Sequence, residues 1–79
     1  MKVLFFVQIR SFTGCDHTEL EVAQPIDGGQ LWTALEEKFA GISKFRSSTR
    51  LARNSDYARD EELFSSNDEV ALLSPVSGG

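Results

Sequence analysis

The first ten residues, MKVLFFVQIR, constrain the fold most. Val3, Phe5, Val7 and Ile9 alternate with Leu4, Phe6, Gln8 and Arg10, and a period of two puts each set on its own face of a strand. The alternation predicts one strand over residues 1–10 with Val3, Phe5, Val7 and Ile9 as core. The opposite face is unusual, because Leu4 and Phe6 stand where a one-sided sheet would show polar groups to water. A second alternation, TELEV at 18–22, turns Leu20 and Val22 inward. Residues 11–16, with Gly14 among polar neighbours, read as the turn of an antiparallel hairpin, and Pro25 ends its second strand.

Asp27 then has the form of a helix N-cap, with Gln30 three residues on as in a capping box. Leu31, Leu35 and Phe39 follow as one apolar stripe, with Ala34 beside it and Trp32 at its edge. Glu36, Glu37 and Lys38 fall on the wet side, and Gly41 suits a C-cap. Gly28 and Gly29 in the first turn weaken the helix slightly. Residues 42–48 show no regular pattern. Residues 49–53 form a weaker strand with Leu51 inward, Asn54, Ser55 and Asp56 a turn, and Tyr57 and Ala58 a short return strand. Leu63 is the apolar anchor of the connection that follows. Asn67-Asp68 reads as a turn in which Asn takes the left-handed conformation. The last strand is EVALL at 69–73, with Val70 and Leu72 on one face and Ala71 and Leu73 on the other.

This order gives an α+β domain: a mixed sheet of four to five strands with one main helix packed on one face. The last strand pairs with the first in parallel through a right-handed crossover, which is the β-grasp, or ubiquitin-like, arrangement. A length of 79 residues holds one domain, and a hydrophobic share of 41% is that of a folded globule. The net charge of −4 argues against a nucleic-acid partner. No apolar run is long enough to cross a bilayer, the opening segment does not read as a signal peptide, and Cys15 is the only cysteine. The expected compartment is the cytoplasm.

The chemistry is expected at the other end. After the last strand come Ser74, Pro75, Val76, Ser77, Gly78 and Gly79. Pro75 cannot donate to a ladder and takes the chain off the sheet, so residues 74–79 are expected to form an extended, flexible tail. Gly78 and Gly79 lack a Cβ and can pass through a channel too narrow for other residues. A terminal carboxylate converted to a mixed anhydride with AMP becomes electrophilic, and a sulfur donor that displaces the AMP leaves a thiocarboxylate. That route needs an unhindered end and no catalytic side chain. A Gly-Gly pair alone carries little weight; its position straight after a final strand, on a chain with this topology, carries more. No nucleophile-base pair or phosphate loop points to an autonomous enzyme. His17 beside Asp16 lacks further ligands at metal-binding spacing. Cys15 reads as incidental, and the acidic residues Asp60, Glu61, Glu62, Asp68 and Glu69 as a solvated surface.

Three stretches resemble one family, the small subunits of molybdopterin synthase (the MoaD family). They are KVLFFVQIR with Gly14 shortly after it, the asparagine at 54 following a strand, and the ending NDEVALLSPVSGG. Ser74, Asn67 and Arg53 depart from that pattern, where Pro, Gly and an apolar residue are usual. The resemblance implies a sulfur-carrier subunit with no bound cofactor. Gly79 would be adenylated at the expense of ATP by an E1-like (MoeB-like) activating enzyme, and then converted to a thiocarboxylate. The tail, with Gly78, Ser77, Val76 and Pro75, would enter the MoaE-like large subunit of a heterotetramer. There it would give sulfur to cyclic pyranopterin monophosphate to build the molybdopterin dithiolene. Carriers serving thiazole synthesis or tRNA thiolation, a ubiquitin-like protein modifier, and a plain binding module remain alternatives. From the strand faces, Leu4, Phe6, Leu73 and Tyr57 are expected to form an exposed apolar docking patch, with Arg10 at its rim.

Overall fold

The computed structural model describes residues 1–73. Its five strands are β1 (Lys2–Phe5), β2 (His17–Glu19), β3 (Arg50–Arg53), β4 (Asp56–Ala58) and β5 (Glu69–Leu73). They form one sheet in the order β2-β1-β5-β3-β4. β1 and β5 pair in parallel, with Val3 opposite Val70 and Phe5 opposite Leu72; the remaining pairs are antiparallel. The mixed sheet with its packed helix is therefore as expected. Among the described residues no helix is long and apolar enough to cross a membrane.

The first strand is shorter than its alternation suggested. β1 stops at Phe5, and Val7–Thr13 form a helix, α1, in place of the second half of the strand and the turn. β2 offers β1 only three partners and β5 only four, so a ten-residue strand would leave half its backbone groups without a ladder, whereas a helix bonds them internally. Val7 makes the break with φ 47, in the left-handed region. Gly14, at φ 79, closes the helix and donates its N–H to the Arg10 carbonyl at 2.9 Å. It is a helix C-cap and not a hairpin turn. Ile9 is core as expected, whereas Val7 is 65% exposed. β2 is also shorter than expected and ends before Leu20, which is still buried.

The second helix, α2 (Gly28–Lys38), starts as the sequence predicts. Asp27 Oδ1 accepts the Gln30 N–H at 2.8 Å, and Gln30 Oε1 accepts the Asp27 N–H at 2.9 Å. Its stripe covers the inner sheet face. Leu31, Leu35 and Trp32 are buried against Val3, Phe5, Leu51, Val70 and Leu72, and Phe39 meets Phe5 edge-on at 5.4 Å. Each such fully buried side chain contributes about 1.5–3 kcal/mol. Gly41, at φ 96, is not the cap of α2, whose C-cap is Phe39; it opens the 3₁₀ helix Ile42–Ser48. Glu36 holds that junction by accepting the N–H groups of Gly41 (2.6 Å) and Ser43 (3.0 Å).

Two further expectations are corrected. The anchor of the β4–β5 connection is Phe64, wholly buried, and not Leu63, which is 59% exposed. Phe64 exchanges backbone hydrogen bonds with Ile26, and a short pairing of this kind fixes which neighbour faces the core. The left-handed asparagine is Asn54, not Asn67. Asn54 (φ 51) and Ser55 (φ 81) form the two-residue turn between β3 and β4.

Asn54 also ties that turn to the start of β5. Its Oδ1 accepts the Glu69 N–H (3.1 Å), its N–H donates to the Glu69 carbonyl (2.9 Å), and its Nδ2 donates to Asp68 Oδ1 (3.3 Å). Asp68 Oδ2 accepts the Ser65 N–H at 2.8 Å. The Ser65 N–H, then the Asn54 amide and the charge of Arg53, hold the Asp68 carboxyl below its ordinary range. The Gly41 and Ser43 N–H groups do the same to Glu36. A carboxyl whose pKa is lowered by folding stabilises the fold above its unfolded-state pKa, and that stability is lost as pH falls through the folded-state pKa. Urea midpoints should therefore hold from about pH 7 to about pH 5 and decline below about pH 4. Asp68→Asn, whose single oxygen cannot serve both donors, should lower the midpoint at pH 7 and flatten the acid decline. An unchanged decline in Asp68→Asn would assign it elsewhere.

Gly28 is required by contact and not by backbone torsion. Its N–H donates to the Asp60 carbonyl at 2.7 Å, and a Cβ there would lie 2.8 Å from Asp60 Cα and 2.9 Å from its carbonyl oxygen. A Cβ on Gly29 would come no closer than 3.4 Å to anything. Gly28→Ala should cost about 1–3 kcal/mol by urea denaturation although Ala is the better helix former, and Gly29→Ala should gain up to about 1 kcal/mol. Equal effects at the two positions would show that helix propensity, not crowding, governs this turn.

Candidate functional site

The outward face of the sheet is built by register. Leu4 lies opposite Ala71, Ala71 opposite Ala52, and Ala52 opposite Tyr57, so one apolar row crosses β1, β5, β3 and β4. His17 of β2 extends the row beyond Leu4. One step toward the end of β5, Leu73 pairs with Arg50. Leu4, Ala71 and Leu73 are half-buried, Ala52 is nearly covered, and Tyr57 is 66% exposed. Phe6 follows directly after β1 and is 40% exposed. Such a face is wider than scattered surface apolar residues make.

Four of the expected patch residues, Leu4, Phe6, Leu73 and Tyr57, thus share this side and end of the sheet. Arg10 differs: it lies on α1, exposed, and not on the first strand, because the chain leaves the sheet after Phe5. Gly79, Gly78, Ser77, Val76 and Pro75 lie outside the described residues.

Ala52 and Arg50 belong to this face and were missed, and Ala71, already placed on the face of Leu73, was not counted in the patch. Their signal was present in the alternation of residues 49–53 and 69–73, but only the pairing of β3 with β5 puts the three side by side. The Arg50 guanidinium lies over the Tyr57 ring, 4.6 Å from its centroid. At the β2 edge, His17 Nδ1 and Asp16 Oδ1 are 2.7 Å apart, a bond that lowers the Asp16 pKa. Both side chains are largely exposed, and among the described residues no group of three or more His, Cys, Asp or Glu is placed to hold a metal. The face offers binding area without reactive groups, which suits recognition of a partner and not catalysis.

The molybdopterin synthase sulfur carrier subunit of Arabidopsis thaliana is 32% identical over 79 residues, spanning all of this chain and 82% of that protein. The subunit of the same name from Drosophila melanogaster is 35% identical over 80 residues, spanning 98% and 88%. That from Homo sapiens is 30% identical over 82 residues, spanning 100% and 93%. In structure, SAMP1 from Haloferax volcanii superposes with a TM-score of 0.82 at 24% identity over 100% of this chain and 98% of its own. SAMP1 from Methanosarcina acetivorans gives 0.76 at 23% identity over 99% and 94%. These two confirm the ubiquitin-like β-grasp fold. Residues 3–79, the last strand and its Gly-Gly ending included, match the ThiS family, and the chain belongs to it.

Proposed function

We propose that this chain is the sulfur-carrier subunit of a molybdopterin synthase. The observation that carries the reading is the full-length match to subunits of that name at 30–35% identity, on a chain whose family match runs through Gly79. The apolar face beside the end of β5 supports it, since a carrier must be recognised by more than its tail.

With Gly79 as the terminal residue, its carboxylate attacks the α-phosphorus of ATP on an E1-like activating enzyme, and pyrophosphate leaves. A sulfur donor then displaces AMP at the carbonyl and leaves the thiocarboxylate. The charged tail, Pro75 to Gly79, enters the MoaE-like large subunit and gives its sulfur to cyclic pyranopterin monophosphate. The small size of Gly78 and Gly79 admits them to a narrow channel. Leu4, Phe6, Leu73 and Tyr57 dock on the large subunit and, in turn, on the activating enzyme. The carrier itself contributes no acid or base. The reducing cytoplasm, which suits a lone thiol such as Cys15, is its compartment.

Intact mass spectrometry after incubation with ATP, an activating enzyme and a sulfur donor should show oxygen replaced by sulfur once per chain, on a fragment that contains Gly79. Absence of the shift with an active activating enzyme defeats the reading. Capture of the purified large synthase subunit should separate it from thiazole-synthesis and tRNA-thiolation carriers. Phe6→Asp should weaken that capture by about 2 kcal/mol or more, roughly thirtyfold, with the unfolding midpoint little changed because Phe6 is outside the core. Full capture by Phe6→Asp would remove Phe6 from the docking face.

A further inference from the structure

From residue 39 to residue 55 the chain has four cations, Lys44, Arg46, Arg50 and Arg53, and no Asp or Glu, although its net charge is −4. The fold occupies three of the four. Arg46 pairs with Asp60 at 3.3 Å and Arg53 with Glu62 at 2.8 Å, while the Lys44 ammonium sits over the rings of Phe12 and Phe45. Arg50 has no carboxylate among the described residues. It lies exposed, with its guanidinium on the ring of Tyr57, which is exposed too.

A stacked guanidinium keeps its N–H donors at the edge of its plane, where they can fork onto a carboxylate. The ring also restrains the side chain, so less rotamer entropy is lost when a partner binds. Two exposed side chains that hold one another over an apolar face do little for the core. Register gives their location a meaning. Arg50 pairs with Leu73, the last described residue of the strand that leads to the tail, and Tyr57 ends the row Leu4, Ala71, Ala52. The start of α1, which follows β1, brings Arg10 to this same end of the sheet. Asp56, Asp68 and Glu69 stand at the opposite ends of β4 and β5. A net acidic protein thus presents, at the corner from which the tail departs, a cation that has no carboxylate among the described residues.

We propose that Arg50, braced on Tyr57, is a specificity-determining contact that reads a carboxylate on the large subunit, at the rim of the channel that receives the tail. This rests on the sulfur-carrier reading above. A substrate phosphate is the weaker occupant, because six extended residues put the reacting end about 20 Å beyond Leu73. A protein carboxylate at the docking rim is within reach.

The test is calorimetric titration of the purified chain with the purified large subunit at about 50, 150 and 500 mM salt, where screening becomes progressively stronger. Arg50→Gln should weaken binding about tenfold at low salt and reduce its salt dependence. Arg50→Glu should weaken it further, and Arg50→Lys should fall between wild type and Arg50→Gln. Tyr57→Leu, which keeps apolar area but removes the ring, should weaken binding with Arg50 present and add little in the Arg50→Gln background. Unfolding midpoints of all variants should stay close to wild type. Wild-type affinity and salt dependence in Arg50→Gln would overturn the inference while leaving the sulfur-carrier reading intact. So would a large drop in its unfolding midpoint that accounts for the lost binding. Failure of the wild-type chain itself to bind the large subunit would overturn the molybdopterin-synthase reading, and this inference with it.

Discussion

The parallel pairing of β1 with β5 is the interaction on which the rest depends. It joins the first described strand to the last, and puts Val3, Val70, Phe5 and Leu72 together in the middle of the inner face, each 1% exposed or less. Every other element adds to that pair. β2 takes the free edge of β1, and β3 the free edge of β5. α2 lies over the inner face because a parallel pair needs a crossover, and the crossover must cover the apolar face it spans. The same pairing places Leu4 beside Ala71 on the outside. Core and outer apolar face are thus two sides of one register, and a one-residue slip would exchange them.

How much was legible in the sequence depended on whether a signal was local. The Asp27–Gln30 capping box, the stripe Leu31, Leu35, Phe39 and the faces of β5 follow from spacing alone, and the structure has them all. The crowding that requires Gly28 was not legible, because it comes from Asp60, thirty-two positions away. Leu63 and Phe64 are adjacent apolar residues, and only the bridge to Ile26 decides which one turns inward. Arg50 was passed over for the same reason: a lone outward Arg on a short strand gains meaning only from Tyr57 on the next strand and Leu73 on the previous one. The order of residues in the tail was legible, and the family match extends across it.

The division of labour between face and tail follows from what each can do physically. A Gly-Gly end carries almost no side-chain information, so it suits a channel and gives little selectivity. The outer face carries area and charge but nothing that reacts. On the function proposed above, separating the two would let one carrier meet an activating enzyme and a synthase through the same contacts while its reactive end enters two different sites. A catalytic group on the carrier would have to suit both sites, and none is present on the described face.

Val7 shows how this architecture is reached from an ambiguous sequence. The first ten residues satisfy both a strand and a strand followed by a helix, because Ile9 reaches the core in either case. The helix is favoured because it satisfies backbone groups that the short neighbours β2 and β5 cannot. The cost falls on Val7, a β-branched residue at φ 47, where such torsions cost about 1–3 kcal/mol. That strain is offset by the burial of Ile9 and by the αL cap at Gly14. It also keeps the chain, which leaves the sheet after Phe5, from running on as a strand, so that Phe6 stands as the N-cap of α1 just past the end of β1. The strained residue, the exposed Phe6 and the Arg50–Tyr57 pair all lie at the tail end of the sheet, and the structure is least ordinary where the proposed partner must dock.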